Sequence, residues 1–206
     1  SYSLYDALWW GEKVLLLATD HKRYGMNENA QFYTLEPATG EVSLLAPYEE
    51  AVGSSVGSDC RLGGGREWVA QDGKLYFVAT IRNASQVFCL EENGDIRPVY
   101  TQEGSVDCID AAGGTLYFIG MQDMKLQELY AWDEAAQERV QLTAFNEQAL
   151  AGAYVALPEK LTFTNDGIDL DGWVLRPKDF DPQKAYPAIL DIHGGPKTVY
   201  GEVFYH

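Results

Sequence analysis

The chain has 206 residues, enough for one sizeable domain or two small ones, and its 46% hydrophobic content supports a packed interior. Thirty-one acidic against 15 basic residues leave a formal charge of −16, a field that repels phosphate backbones and anionic lipid surfaces. No stretch approaches 18 consecutive apolar residues, so neither nucleic acid nor a membrane is an expected partner. The three cysteines, Cys60, Cys89 and Cys108, are too few and too scattered for a disulfide framework or a paired-cysteine zinc site. Their apolar or turn-like surroundings predict buried, reduced thiols; no metal and no cofactor are expected.

In chain order, the first unit centres on "VLLLAT" (14–19), introduced by the turn "WGEK". A polar insertion, "HKRYGMNENA", reads as a solvated loop before a second run, "QFYTL", the turn "EPATGE" and a third run, "VSLLA". The second unit repeats this order: "GREWVAQ", then "LYFVAT" (75–80), "QVFCL", "EENGD" and "IRPVY". The third runs "SVDCIDA", "LYFIGM" (116–121), "ELYAW", "DEAAQE" and "VQLTA". Short aromatic and β-branched runs between Gly/Asn/Asp turns predict antiparallel strands. Four strands in about 40 residues is the blade period of a β-propeller, and a β-sandwich with coincidental spacing is the competing reading. Closed propellers have about 4–8 blades. Three leave open strand edges and an apolar blade face, which predict self-association and a chain that is part of something larger.

Between the first two units lies "GSSVG", Gly53 to Gly57, which satisfies the G-x-S-x-G pattern of a serine nucleophile. That chemistry needs the serine on a strained strand-to-helix turn above a parallel sheet. The following "SDCRLGGGREW" carries Gly63, Gly64 and Gly65 and cannot start a stable helix. Ser55 is therefore read as a strand or turn residue of a blade. The nearby Glu49 and Glu50 read as a solvated turn.

The character of the chain changes after Leu150, and Pro158-Glu159 marks a boundary between residues 1–157 and 158–206. Leu161 to Thr164 and Ile168 to Arg176 predict a hairpin around Asn165-Asp166-Gly167, with Pro177 ending it. The acidic residues Asp166, Asp169 and Asp171 do not fit a calcium loop: with Gly172 at its sixth position, Gly167 and Lys178 occupy ligand positions. "AILDIHGG" then predicts a third strand, apolar enough to be buried on both faces of an α/β sheet, delivering His193-Gly194-Gly195-Pro196.

"LTAFNEQAL", "PEKLTFTNDGIDLDGWVLRP" and "KAYPAILDIHGGP", in this order, resemble the propeller-to-hydrolase junction of the prolyl oligopeptidase family of serine peptidases, in its acylaminoacyl-peptidase-like branch. The match is specific from about Leu142 to His206 and generic before that. It implies a mainly β fold: the C-terminal blades of a propeller (1–157), then the first strands of a truncated α/β-hydrolase domain (158–206). It also implies that the N–H of Gly195 is one donor of an oxyanion hole, with Gly194 shaping the loop. Fixed donors of this kind stabilise the charge that acyl transfer builds on a carbonyl oxygen. In α/β-hydrolases the triad runs Ser, Asp, His in chain order, so His193, upstream of any expected nucleophile, reads as a loop-orienting residue and not the triad base. The triad is expected beyond His206, the chain alone is expected to be inactive, and the parent enzyme is expected to take short peptides in the cytoplasm. A non-catalytic propeller interaction module and an esterase, which shares HGG loops, are the alternatives.

Overall fold

The computed structural model describes residues 2–206, and its regular structure is almost entirely antiparallel β. Strands β1 (Ser3–Trp10), β2 (Lys13–Thr19), β3 (Gln31–Glu36) and β4 (Glu41–Ala46) form a first sheet in that order. A third sheet has the same plan: β10 (Ser105–Ala112), β11 (Thr115–Met121), β12 (Glu128–Asp133) and β13 (Glu138–Gln141). Between them, β5 (Ala51–Val52) and β6 (Trp68–Gln71) both pair with β7 (Lys74–Ile81), followed by β8 (Ala84–Leu90) and β9 (Ile96–Tyr100). These three sheets are successive propeller blades. The repeat reading missed β1, because its "SLYDALWW" matches neither leading strand of the later units.

Local chemistry sets the turns. The β6–β7, β10–β11 and C-terminal hairpins close on Asp72-Gly73, Gly113-Gly114 and Asp166-Gly167, with both turn residues at positive φ in each case. Such turns match the twist of the flanking strands, and Gly and Asp adopt this conformation more readily than most residues. The middle blade departs from the plain plan. Val52 pairs with Ala79 and Trp68 with Phe77, so β5 and β6 share one lane along β7. Residues 53–67 are an excursion out of that lane.

The blades are held face to face by two aromatic cores. One joins the first and second blades through Leu15, Phe32, Trp68, Leu75, Phe77 and Leu90. Phe77 lies at its centre, with ring centroids 4.8 Å from Phe32, 5.4 Å from Tyr48 and 5.9 Å from Phe88. Burying one such side chain contributes about 1.5–3 kcal/mol. The other core joins the second and third blades around Val78, Tyr100, Phe118, Tyr130 and Trp132. Because the second blade is covered on both faces, most of β7 is buried instead of alternating. Cys89 is buried, and burial pushes its thiol up to about 11; Cys60 and Cys108 are only half-buried, a correction to the expectation for all three. No helix among the described residues is long and apolar enough to cross a membrane.

Two elements differ from expectation at the C-terminal side. The hairpin is present as β14 (Glu159–Asn165) and β15 (Ile168–Val174), but the return strand stops at Val174 and does not reach Arg176. Residues 185–192 form no strand at all, and Ile189, Leu190 and Ile192 are 96%, 84% and 75% exposed. A lane buried on both faces needs strands on either side, and among the described residues no strand pairs with this one. A smaller difference lies at "VQLTA". Glu128 draws in the Thr143 hydroxyl and the N–H groups of Phe145 and Asn146, which turns the chain out of the sheet after Gln141.

Candidate functional site

The loop His193–Pro196 is exposed. Gly195 has φ +134°, and a Cβ there would lie 2.7 Å from the backbone nitrogens of both Lys197 and Thr198. Only glycine fits this backbone, because any side chain would collide with the following turn. A Cβ on Gly194 would meet nothing within 4 Å. Neither glycine donates its N–H to an acceptor among the described residues. His193 turns back on the loop: its Nδ1 lies 2.9 Å from the carbonyl oxygen of Gly194, and its ring stands edge-on to Tyr200 at 5.5 Å. The Tyr200 hydroxyl donates to Asp191 Oδ2 at 2.9 Å, and this bond raises the pKa of the phenol. Asp191, His193 and Tyr200 thus brace the two ends of the loop. Sequence reasoning missed Tyr200, since one tyrosine past a glycine loop carries no spacing signal.

The chain beyond the loop is tied to the blades. Lys197 Nζ donates to the carbonyl oxygen of Asn27 at 2.8 Å and to Asn29 Oδ1 at 2.7 Å, both in the insertion of the first blade. Val199 forms a parallel bridge with Val56: its N–H donates to Ser55 O at 3.0 Å, and Gly57 N–H donates to Val199 O at 2.8 Å. The Ser58 hydroxyl donates to the carbonyl oxygen of Phe204 at 2.7 Å. Asp59 accepts from the backbone N–H of His206 at 3.0 Å and meets its Nδ1 at 2.8 Å. Val56, Met121 and Val203 are buried together, with Val199, Phe204 and Cys60 against them.

Ser55 therefore lies in an extended stretch that pairs with Val199, with no helix after it. Its own N–H is taken by the Thr80 hydroxyl at 2.8 Å. Beside it, Ser54 Oγ reaches Ser85 Oγ (2.9 Å) and Asp107 Oδ1 (3.4 Å), while Gln127 Nε2 donates to Asp107 Oδ2 (2.6 Å). Arg61 Nε approaches Asp107 at 3.2 Å, a charge contact without hydrogen-bond geometry. A Ser–His contact does occur, Ser3 Oγ with His21 Nε2 at 2.8 Å, on an exposed strand end. Glu49 pairs with Arg23 on the surface.

Asp59, Cys60 and His206 bring a carboxylate, a thiol and an imidazole within 4.8 Å of one another. The hydrogen bond from His206 holds the Asp59 carboxyl down to about 2, while burial pushes the Cys60 thiol up. Both Asp59 oxygens are already engaged by these two neighbours, so hydrogen bonding accounts for the cluster.

No family profile matches the chain. It is 26% identical to the uncharacterized peptidase YuxL of Bacillus subtilis over 154 residues, 72% of this chain and 23% of that protein. It is 30% identical to dipeptidyl-peptidase 5 of Porphyromonas endodontalis over 132 residues, 62% of this chain and 19% of that protein. The sequence similarity of this chain is to peptidases. Its fold agrees with that similarity. Acylaminoacyl peptidase of Pyrococcus horikoshii superposes on 99% of this chain with a TM-score of 0.75, at 24% identity and over 30% of that chain's length. The chain spans about a fifth of the length of the curated relatives it matches.

Proposed function

We propose that this chain is the part of a serine peptidase that carries the last propeller blades (1–157) and the opening of the hydrolase domain (158–206), with short peptides as substrates. Gly195 supplies one oxyanion-hole donor through its backbone N–H, Gly194 is part of the loop that presents it, and His193 orients the loop. The carrying observation is the backbone of Gly195, at φ +134° with its N–H uncommitted among the described residues. The peptidase relatives named above support the reaction class. The reaction is attack of a serine oxygen on a peptide carbonyl, with the proton passing through histidine to the leaving amine. Negative charge then collects on the carbonyl oxygen, where fixed donors act. The nucleophile, its histidine base and the second donor belong to sequence outside 1–206, so this chain alone is inactive.

The test uses the complete reading frame. Full-length protein is expected to react with a fluorophosphonate probe and to release p-nitroaniline from short peptide anilides. Gly195→Ala should lower kcat by about 10²–10³, the cost of one misplaced oxyanion donor. Probe labelling of Ser55 in the 206-residue chain, or full kcat in Gly195→Ala, would overturn the reading.

A further inference from the structure

We propose that Gly53–Cys60, the stretch that mimics a nucleophile motif, is a positioning strip: it holds the segment Lys197–His206 along the second blade and so fixes where the N–H of Gly195 points. The catalytic meaning rests on the oxyanion reading above; the docking rests on geometry alone. Three observations carry it.

The strip is itself rigid. It leaves the β5 lane at Gly53 and is pinned as it does so. Gly53 N–H donates to Val78 O, the Thr80 hydroxyl donates to Gly53 O and receives Ser55 N–H, and Ser54 N–H donates to the Glu67 carboxylate at 2.9 Å. Its contact with the tail is made of backbone and short side chains: the Val56–Val199 bridge, Ser58 to Phe204 and Asp59 to His206. Such contacts set register, because they leave little freedom to slide. The approach is also too close for a side chain. A Cβ on Gly201 would lie 2.1 Å from Asn83 O and 3.1 Å from Val56 Cγ1, and one on Gly57 would lie 3.3 Å from Thr198 Cγ2.

The leash between strip and loop is short. Val199 lies four residues after Gly195, no more than about 14 Å of fully extended chain. Lys197 adds a second anchor halfway, on Asn27 and Asn29. Among the described residues the loop has no sheet partner of its own, so these anchors, with Tyr200, are its tie to the blades.

The test is amide exchange and relaxation on the isotope-labelled 206-residue chain. In the wild type the N–H groups of Val199 and Gly57 should be protected and Gly195 should be ordered. Gly201→Val should speed exchange at Val199 and Gly57 by roughly tenfold or more and lower the heteronuclear NOE at Gly195, with β7 and β11 still protected. If that variant also opens β7 and β11, Lys197→Met takes its place, with a mobile Gly195 expected in the Met variant and order restored in Lys197→Arg. An unprotected Val199 in the wild type, or a released Val199 with Gly195 unchanged, overturns the proposal. So does an unchanged Gly195 in Lys197→Met. No substrate is involved, so a failed peptidase assay would sink the oxyanion reading and leave the docking standing.

Discussion

Two stretches of this chain look alike as sequence and fare differently as structure. "LYFVAT" in β7 and "AILDI" before the glycine loop are both near-continuous apolar runs. β7 has strands on both edges and blades on both faces, and Phe77, Val78 and Ala79 are fully buried. Among the described residues the second run has no paired strand, and Ile189 and Leu190 face solvent. An apolar run thus states what a strand requires, which is cover on two faces. It does not state whether the rest of the chain supplies that cover.

A matched pair of truncations separates the two runs. Phe77→Ala should cost about 3–5 kcal/mol, because it removes the ring that Phe32, Tyr48 and Phe88 pack around. Urea unfolding followed by tryptophan fluorescence reads the loss. Its counterpart Leu190→Ala should change stability by less than about 0.5 kcal/mol in the same assay, as surface substitutions do. A comparable loss in both would mean that the tail run is covered in solution.

Between these extremes lies the edge of the third blade, where order comes from one carboxylate. Glu128→Ala should cost about 1.5–3 kcal/mol, since Glu128 accepts from Thr143, Phe145 and Asn146. Burial raises the pKa of this carboxyl, but those hydrogen bonds outweigh burial and hold it below the ordinary carboxylate range. A group depressed in the folded state contributes fully above its unfolded value, about 4.3, and the contribution is lost as pH falls through the lower folded value. The acid limb of the stability curve should therefore be shallower in Glu128→Ala, measured as unfolding midpoints between pH 3 and 6. A smaller effect is expected from Tyr100→Phe, about 1 kcal/mol. It removes a hydroxyl that donates to Gln122 Oε1 and accepts from Arg139, leaving Gln122 its bond from Arg139. Thermal unfolding of the two variants side by side orders them.

Much of the blade region was legible because period and turn chemistry are local. The recurrence of "LYFVAT" as "LYFIGM", and the Asp-Gly and Gly-Gly turns ahead of each, are decided within a few residues. What escaped was contact between distant segments. β1 has no counterpart pattern and is recognised by its pairing with β2. Nothing in "SDCRLGGGREW" says that the lane it interrupts resumes at Trp68. The glycines at 194 and 195 announced a loop, but Tyr200, Asp191 and Lys197 are ordinary residues that acquire their roles from where the blades stand.

The blade period, most of the blade strands, their tight turns and the glycine at 195 are written locally, because periodicity and positive-φ turns are properties of neighbouring residues; β1 and the run at 185–192 are not. Tertiary structure alone decided what "GSSVG" is for. Its serine and glycines match a nucleophile pattern in one dimension. In three, Ser55 O and Gly57 N–H are the hydrogen-bonding edge on which Val199 rests, 144 residues downstream. The use of a backbone edge depends on which distant segment is brought against it, and no local pattern encodes that.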